Sequence, residues 1–298
     1  MITRITGQTQ MREAQRNLQD NMAQLSRLQE QASTLKAINR PSDDPTAAAS
    51  ALAVRTEQAA VVQYSRNAGN GNDWLTTLDS TLSATTAIMN RVRDLTVQGA
   101  NDGALSPTAQ EALAVELDGL REDLLTQANT SYLGRTVFAG NSDAGVAFRD
   151  VDGVMTFTGA ADSSVTRRIS TDVAVRVDAD GGAVFGDGVT SVFALIDNIS
   201  ATLRSGTGSA GDHLADIDTR MALITGEHAV IGARQNQMDR AQQSLLAQVG
   251  TLESRRSSIE DIDLGEVILD LKLQETSYQA ALAVTARVLQ PTLMDFLS

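Results

Sequence analysis

Between residues 11 and 38 the apolar positions Met11, Ala14, Leu18, Leu25, Leu28, Ala32, Leu35 and Ile38 recur at steps of three, four or their sum, with Gln, Asn, Arg and Glu between them. That spacing predicts a polar helix carrying one narrow apolar stripe. A stripe this narrow has the width of a coiled-coil seam, so the segment needs a partner helix. In Asn39-Arg40-Pro41-Ser42-Asp43-Asp44-Pro45 the two prolines fix their own φ and push Arg40 and Asp44 out of the α region, which ends the first helix. Asp44 stands where an N-cap is wanted and Pro45 where a first helical residue can lack its N–H, so a second helix restarts at once. Its apolar positions are Ala47, Ala51, Val54, Val61, Tyr64 and Ala68, then Leu75, Leu78, Leu82, Met89, Val92 and Leu95. The pattern predicts one continuous helix to about Gly99, although Gly69 and Gly71 each cost about 1 kcal/mol relative to alanine. Asn101-Asp102-Gly103 reads as a turn. Ser106-Pro107 then opens a third helix bearing Leu113, Leu117, Leu120, Leu124 and Ala128.

From Thr136 the period changes. Val146-Ala147-Phe148-Arg149 and Val154-Met155-Thr156-Phe157 flank Asp152-Gly153, a strong hairpin signal, and Val173 to Val177 alternates ahead of Asp180-Gly181-Gly182. A small β-rich insertion is expected over roughly 136–190, then a short helix over 191–204 and a loop over 205–211. The helical period resumes through Leu214, Ile217, Met221, Ile224, Ile231, Met238, Leu245, Val249 and Leu252, a helix of roughly 70 Å at 1.5 Å per residue. Ser257-Ser258-Ile259-Glu260-Asp261-Ile262-Asp263 interrupts it, and Asp263 with Glu266 resembles a capping box. A final helix carries Leu264, Val267, Leu271, Tyr278, Ala281 and Val288, ending near Pro291. The expected fold is mainly α with a small β-rich insertion, its N- and C-terminal regions forming a long antiparallel helical bundle or coiled coil. The expected parts are 1–43 with 261–298 as a terminal coiled-coil domain, 44–135 with 212–260 as a long-helix bundle, and 136–211 as the insertion.

Composition narrows the chemistry. The 298 residues hold 24 Lys and Arg against 37 Asp and Glu, a net charge of −13, which argues against a nucleic-acid surface. Cysteine is absent, so disulfides, thiolate metal sites and cysteine nucleophiles are excluded. Aromatics make up 3% of residues, which predicts an aliphatic, alanine-rich core. The N-terminus lacks the apolar stretch of a cleaved signal, and no run approaches about 18 continuous apolar residues, so no membrane insertion is expected. His213 and His228 lack the spacing of a metal site and read as exposed helical histidines. Gly206-Thr207-Gly208-Ser209-Ala210-Gly211 matches G-x-G-x-x-G, but a predicted helix precedes it where a nucleotide fold needs a strand, so it reads as a linker. Asp178, Asp180 and Gly182 lack the remaining ligands of a calcium loop and read as a solvated turn. Asn129-Thr130-Ser131 and Asn198-Ile199-Ser200 are formal glycosylation sequons. No catalytic residue, metal ligand or cofactor is predicted, and an enzyme is not expected.

The motifs at the two ends point further. Ala37-Ile38-Asn39-Arg40-Pro41-Ser42-Asp43-Asp44-Pro45, Ser258-Ile259-Glu260-Asp261-Ile262-Asp263 and Gln290-Pro291-Thr292-Leu293-Met294-Asp295-Phe296-Leu297 resemble the bacterial flagellin superfamily, over roughly 1–135 and 212–298. Thr34-Leu35-Lys36-Ala37 departs from the Ser-Gly step that family usually carries before its Asn-Arg-Pro motif. Tyr132-Leu133-Gly134-Arg135-Thr136-Val137-Phe138-Ala139-Gly140 and Met294-Asp295-Phe296-Leu297 resemble its type 3 hook-associated branch, with filament flagellin as the alternative. The resemblance implies a flagellin-like structural protein, exported by the flagellar type III route without a cleaved signal. It further implies a ring of its own copies at the hook–filament junction outside the cell, with hook-associated protein type 1 on the hook side and flagellin on the filament side. A cytoplasmic export chaperone is a further implied partner. The stripes expected to be completed by neighbouring subunits comprise Leu18, Leu25, Leu28, Leu35 and Ile38 near the start. Near the end they comprise Leu271, Tyr278, Leu282, Leu289, Leu293 and Phe296.

Overall fold

The computed structural model describes residues 7–101, 105–160 and 163–288. The predicted turn at Asn101-Asp102-Gly103 falls partly outside these residues, and Leu289, Leu293 and Phe296 lie wholly outside them. The helices are α1 (Gly7–Thr34), α2 (Pro45–Gly99), α3 (Pro107–Ala128), α4 (Gly181–Phe185), α5 (Val192–Ser205), α6 (Leu214–Glu260) and α7 (Leu264–Val288). Three two-stranded antiparallel sheets lie between α3 and α4 in the chain. They pair β1 (Ser131–Tyr132) with β2 (Arg135–Thr136), β3 (Phe148–Val151) with β4 (Val154–Phe157), and β5 (Thr166–Arg168) with β6 (Ala174–Arg176). The fold is thus mainly helical, with long helices from both ends and small antiparallel sheets. It divides into two compact units, one of residues 1–60 with 249–298 and one of residues 61–248.

The central unit is built on seven-residue repeats. Val61, Ala68, Leu75, Leu82 and Met89 on α2 are buried at that interval, as are Ile217, Ile224, Ile231, Met238 and Leu245 on α6. Seven-residue spacing keeps one seam facing a partner helix along its whole length. The predicted weak point in α2 has a packing reason, because a Cβ on Gly71 would lie 2.5 Å from the Met238 Cε. Ser106 caps α3 by accepting from the Ala109 amide, and α3 packs on α5. Their facing polar groups meet at Asp118, which accepts from the Ser200 hydroxyl at 2.8 Å and from the Arg204 guanidinium. Burial alone would raise the Asp118 carboxyl, but the bonds from Arg204 and Ser200 overcome it and hold it low.

The hairpin of β3 and β4 turns through Asp152 and Gly153, with φ of 54° and 84°. Two successive positive φ values match the right-handed twist of the flanking strands. Beneath it the expectation of an aliphatic core fails. Phe138, Phe148, Phe157, Phe185 and Phe193, five of the six phenylalanines, form one cluster with ring centroids 5.1–6.2 Å apart. A low average concealed a local concentration. The solvated turn at Asp178 is likewise corrected. Asp178 is fully buried, receives both Arg176 nitrogens at 3.0 Å and accepts from the Val165 amide at 2.7 Å. Asp180 caps α4 where only a turn was expected. Neither histidine is fully exposed: His228 on α6 meets Asp79 at 2.8 Å, and His213 closes a 3-10 turn, Ala210–His213, with its Nε2 3.4 Å from the Thr202 hydroxyl. Asn129 is not a free sequon side chain, since its amide bonds Phe148 O and the Ala147 and Phe148 amides.

Candidate assembly site

In the terminal unit α1 and α7 run antiparallel and pack on each other. The Gln274 amide donates to Asn21 O and Oδ1 at 3.2 and 3.0 Å, midway along the pair. On α1, Ala14, Leu18, Leu25, Leu28 and Ala32 are half-buried; on α7, Val267, Leu271, Gln274, Tyr278, Ala281 and Thr285 are. None of the described side chains of α1 or α7 is fully buried. Among the described residues a second apolar stripe on α7 stays largely exposed. Leu269 is 69% exposed, Leu273 70% and Val284 61%. At 3.6 residues per turn these three fall on the side away from Leu271 and Tyr278. Leu282, on the same side as Leu271 and Tyr278, is 42% exposed. Sequence periodicity picked out Leu271 and Tyr278, which this chain's own α1 half-covers, and passed over Leu269, Leu273 and Val284. A helix apolar on two sides has two overlapping periods, and the first one found masks the second.

The helix at the start is shorter than the stripe predicted. It stops at Thr34 because Leu35 adopts a left-handed conformation, φ 58°, so Leu35 and Ile38 belong to the connecting segment. A non-glycine residue there costs roughly 1–2 kcal/mol. Hydrogen bonds around an antiparallel bridge hold the turn in place. The Ala37 amide donates to Glu260 O at 2.7 Å and the Ile262 amide to Leu35 O at 3.5 Å, which pairs Lys36 with Asp261 in antiparallel register, and the Gln31 side chain donates to Ala37 O at 2.9 Å. At the Asn39–Pro45 motif the restart of α2 is as read, but the prolines do not end the first helix, which has already stopped at Thr34. Asp43 accepts from the Arg40 amide at 2.8 Å, and Asp44 caps α2 by accepting from the Thr46 and Ala47 amides, both at 2.9 Å. Asp263 caps α7 through the Gly265 and Glu266 amides.

Glu260 ties these pieces together. It is 3% exposed and accepts from Arg55 Nε and Nη2 at 2.7 and 2.8 Å and from Arg256 at 3.3 Å. The Arg55 bond pulls its carboxyl below the ordinary glutamate range, against the opposing effect of burial. Ser257 and Arg256 hold the Asp261 carboxyl low as well. Sequence reading placed Glu260 inside a motif without a role. Its partner Arg55 is 205 residues away, and no local pattern carries that pairing. An open cleft of 530 Å³ lies beside this carboxylate, between the Asn39–Pro45 segment and the first turns of α2. Among the described residues no cluster of His, Cys, Asp or Glu is placed to hold a metal ion, and no helix is long and apolar enough to cross a membrane.

The bacterial flagellin N-terminal helical region matches residues 5–143, and the bacterial flagellin C-terminal helical region matches residues 214–297. The chain belongs to the bacterial flagellin family. The two matched regions of this flagellin-family chain contain the whole described length of α1 and α7, the Asn39–Pro45 motif, Arg55 and Glu260. Flagellar hook-associated protein 3 of Escherichia coli K12 is 26% identical over 307 residues, covering 93% of this chain and 94% of that protein. The flagellar filament 30.7 kDa core protein of Treponema maltophilum is 24% identical over 264 residues, covering 87% and 86%. In fold, the chain is similar to flagellar hook-associated protein-3 from Legionella pneumophila, with a TM-score of 0.63 at 15% identity over 69% of this chain and 98% of that one.

Proposed function

We propose that this chain is a non-catalytic junction subunit of the bacterial flagellum, joining hook to filament by terminal helices that finish packing only on neighbouring subunits. The observation that carries the reading is the uncovered stripe Leu269, Leu273 and Val284 on α7, in a helix pair with no fully buried side chain among its described residues. Burying a leucine contributes about 2 kcal/mol, so three such positions supply a substantial drive for copies to associate. Near-full-length similarity to hook-associated protein 3 supports a junction role, although filament core proteins match over a comparable share of the chain. On this reading the pieces 1–43 and 261–298 act as the inner coiled coil, 44–135 and 212–260 as the surrounding bundle, and 136–211 as the outward insertion. Copies form a ring, with hook-associated protein type 1 below, flagellin above and an export chaperone before secretion. The route to the cell exterior uses no cleaved signal.

Electron microscopy of a strain lacking the gene tests this. Hooks without filaments, and flagellin shed into the medium, are expected; filaments of normal length on those hooks would refute it. The filament core relative supports a second reading, in which the chain itself builds the shaft. Spontaneous growth of purified protein into long filaments would select that reading.

A further inference from the structure

The cleft beside Glu260 has an unusual lining for so acidic a chain. Ile38, Pro41, Pro45, Ala48 and Leu52 supply an apolar wall, and Leu52 is 67% exposed. Lys36, Arg40 and Arg55 supply three cations against the single carboxylate of Glu260, in a protein of net charge −13. Arg40 touches Glu30 at 3.3 Å, but with 69% of its side chain exposed that pair holds it weakly. The occupant that fits is apolar, with a negative charge among its anchors. A volume of 530 Å³ lies in the range that buries several large side chains.

We propose that this cleft seats residues 293–297 of a second copy of the chain. That segment, Leu293-Met294-Asp295-Phe296-Leu297, has four large apolar side chains around one carboxylate. The chain's own segment cannot reach. Lys36 at the cleft bridges Asp261 next to the start of α7, and α7 then carries the chain about 36 Å away by Val288 at 1.5 Å per residue. Leu293 is five residues beyond Val288, about 18 Å fully extended, and Phe296 about 29 Å. The seat is therefore filled between subunits. It deepens the reading of the chain as a self-assembling subunit, and gives the Asn39–Pro45 segment a partner.

The test is fluorescence anisotropy of a labelled synthetic peptide of residues 289–298, titrated with full-length protein kept dilute enough to remain monomeric. Saturable binding that weakens as salt rises is expected. Leu52→Glu, an exposed position whose change leaves the fold intact by circular dichroism, weakens binding at least tenfold, as does Phe296→Ala in the peptide. Asp295→Lys in the peptide weakens binding several-fold, and Lys36→Glu with Arg40→Glu in the protein restores it. No saturable binding, equal binding by the Leu52→Glu protein, or loss on Leu273→Asp but not on Leu52→Glu would each overturn the seat. Deletion-strain hooks that carry normal filaments would refute the junction role without touching this result.

Discussion

On α6, Ile217, Ile224, Ile231 and Met238 recur every seven residues and each keeps at most 1% of its surface; on α7, Leu269, Leu273 and Val284 keep 61–70%. Both helices are long and apolar at regular intervals, so local propensity does not separate them. What differs is the supply of neighbours. The central unit surrounds its seam with side chains from the same polypeptide, whereas among the described residues α7 packs on α1 and leaves Leu269, Leu273 and Val284 exposed. Burial is a property of the surroundings a stripe finds, and the same sequence grammar serves a finished core or an unfinished surface.

The sharpest way to break this contrast is to put a charge in each place. Ile231→Asp buries an unpaired carboxylate and should cost about 4 kcal/mol or more, abolishing the cooperative melt of the central unit. Trp74, the single tryptophan and 1% exposed, reports that melt by fluorescence. Leu273→Asp should leave the melt within about 0.5 kcal/mol of the parent and yet stop assembly, measured by sedimentation with hook fragments. Equal destabilisation by both substitutions would erase the distinction. Leu28→Asp and Leu282→Asp refine it: each should block assembly, and both should also loosen the helix pair, Leu28 the more because it is the less exposed.

The carboxylate at Glu260 offers a smaller effect with a defined sign. Its folded pKa lies below the unfolded value of about 4.3, so its contribution is complete above that pH and is lost as pH falls through the folded value. Acidification from pH 5 to 3 should release the terminal unit to proteolysis before the central unit opens, and Glu260→Gln should remove that extra sensitivity. With Arg55 54% exposed and screened by solvent, the substitution itself should loosen the terminal unit less than Ile231→Asp unsettles the central one. Smallest of all, Leu35→Gly relieves the left-handed turn and should stabilise the monomer by about 0.5–1 kcal/mol in thermal melts. Destabilisation would show that the exposed Leu35 side chain contributes within the monomer.

Most of the helical framework was legible because its signals are local: the two prolines at 41 and 45, the Ser106-Pro107 start, the Asp152-Gly153 turn and the three-and-four spacing of leucines all act within a few residues. The break at Leu35 was not, since a leucine gives no warning of a positive φ, although the absent Ser-Gly step marked the place. The phenylalanine cluster and the Arg176–Asp178 pair escaped because each depends on how the hairpins fold over one another. At the candidate site the Asn39–Pro45 segment and the half-covered side of α7 could be read. Glu260's partner could not, nor could the α7 stripe at Leu269, Leu273 and Val284.

The pairing of Arg55 with Glu260 also sets an order of events. Its members stand 205 residues apart with the whole central unit threaded between them. A chain emerging end-first from a narrow conduit can collapse its middle while its tail is still inside. The clasp that joins beginning to end must wait until Glu260 is free, and loop closure over such a span is far easier once the intervening part is already compact. On the proposed export route, the two ends could not lock together while Glu260 was still inside the channel.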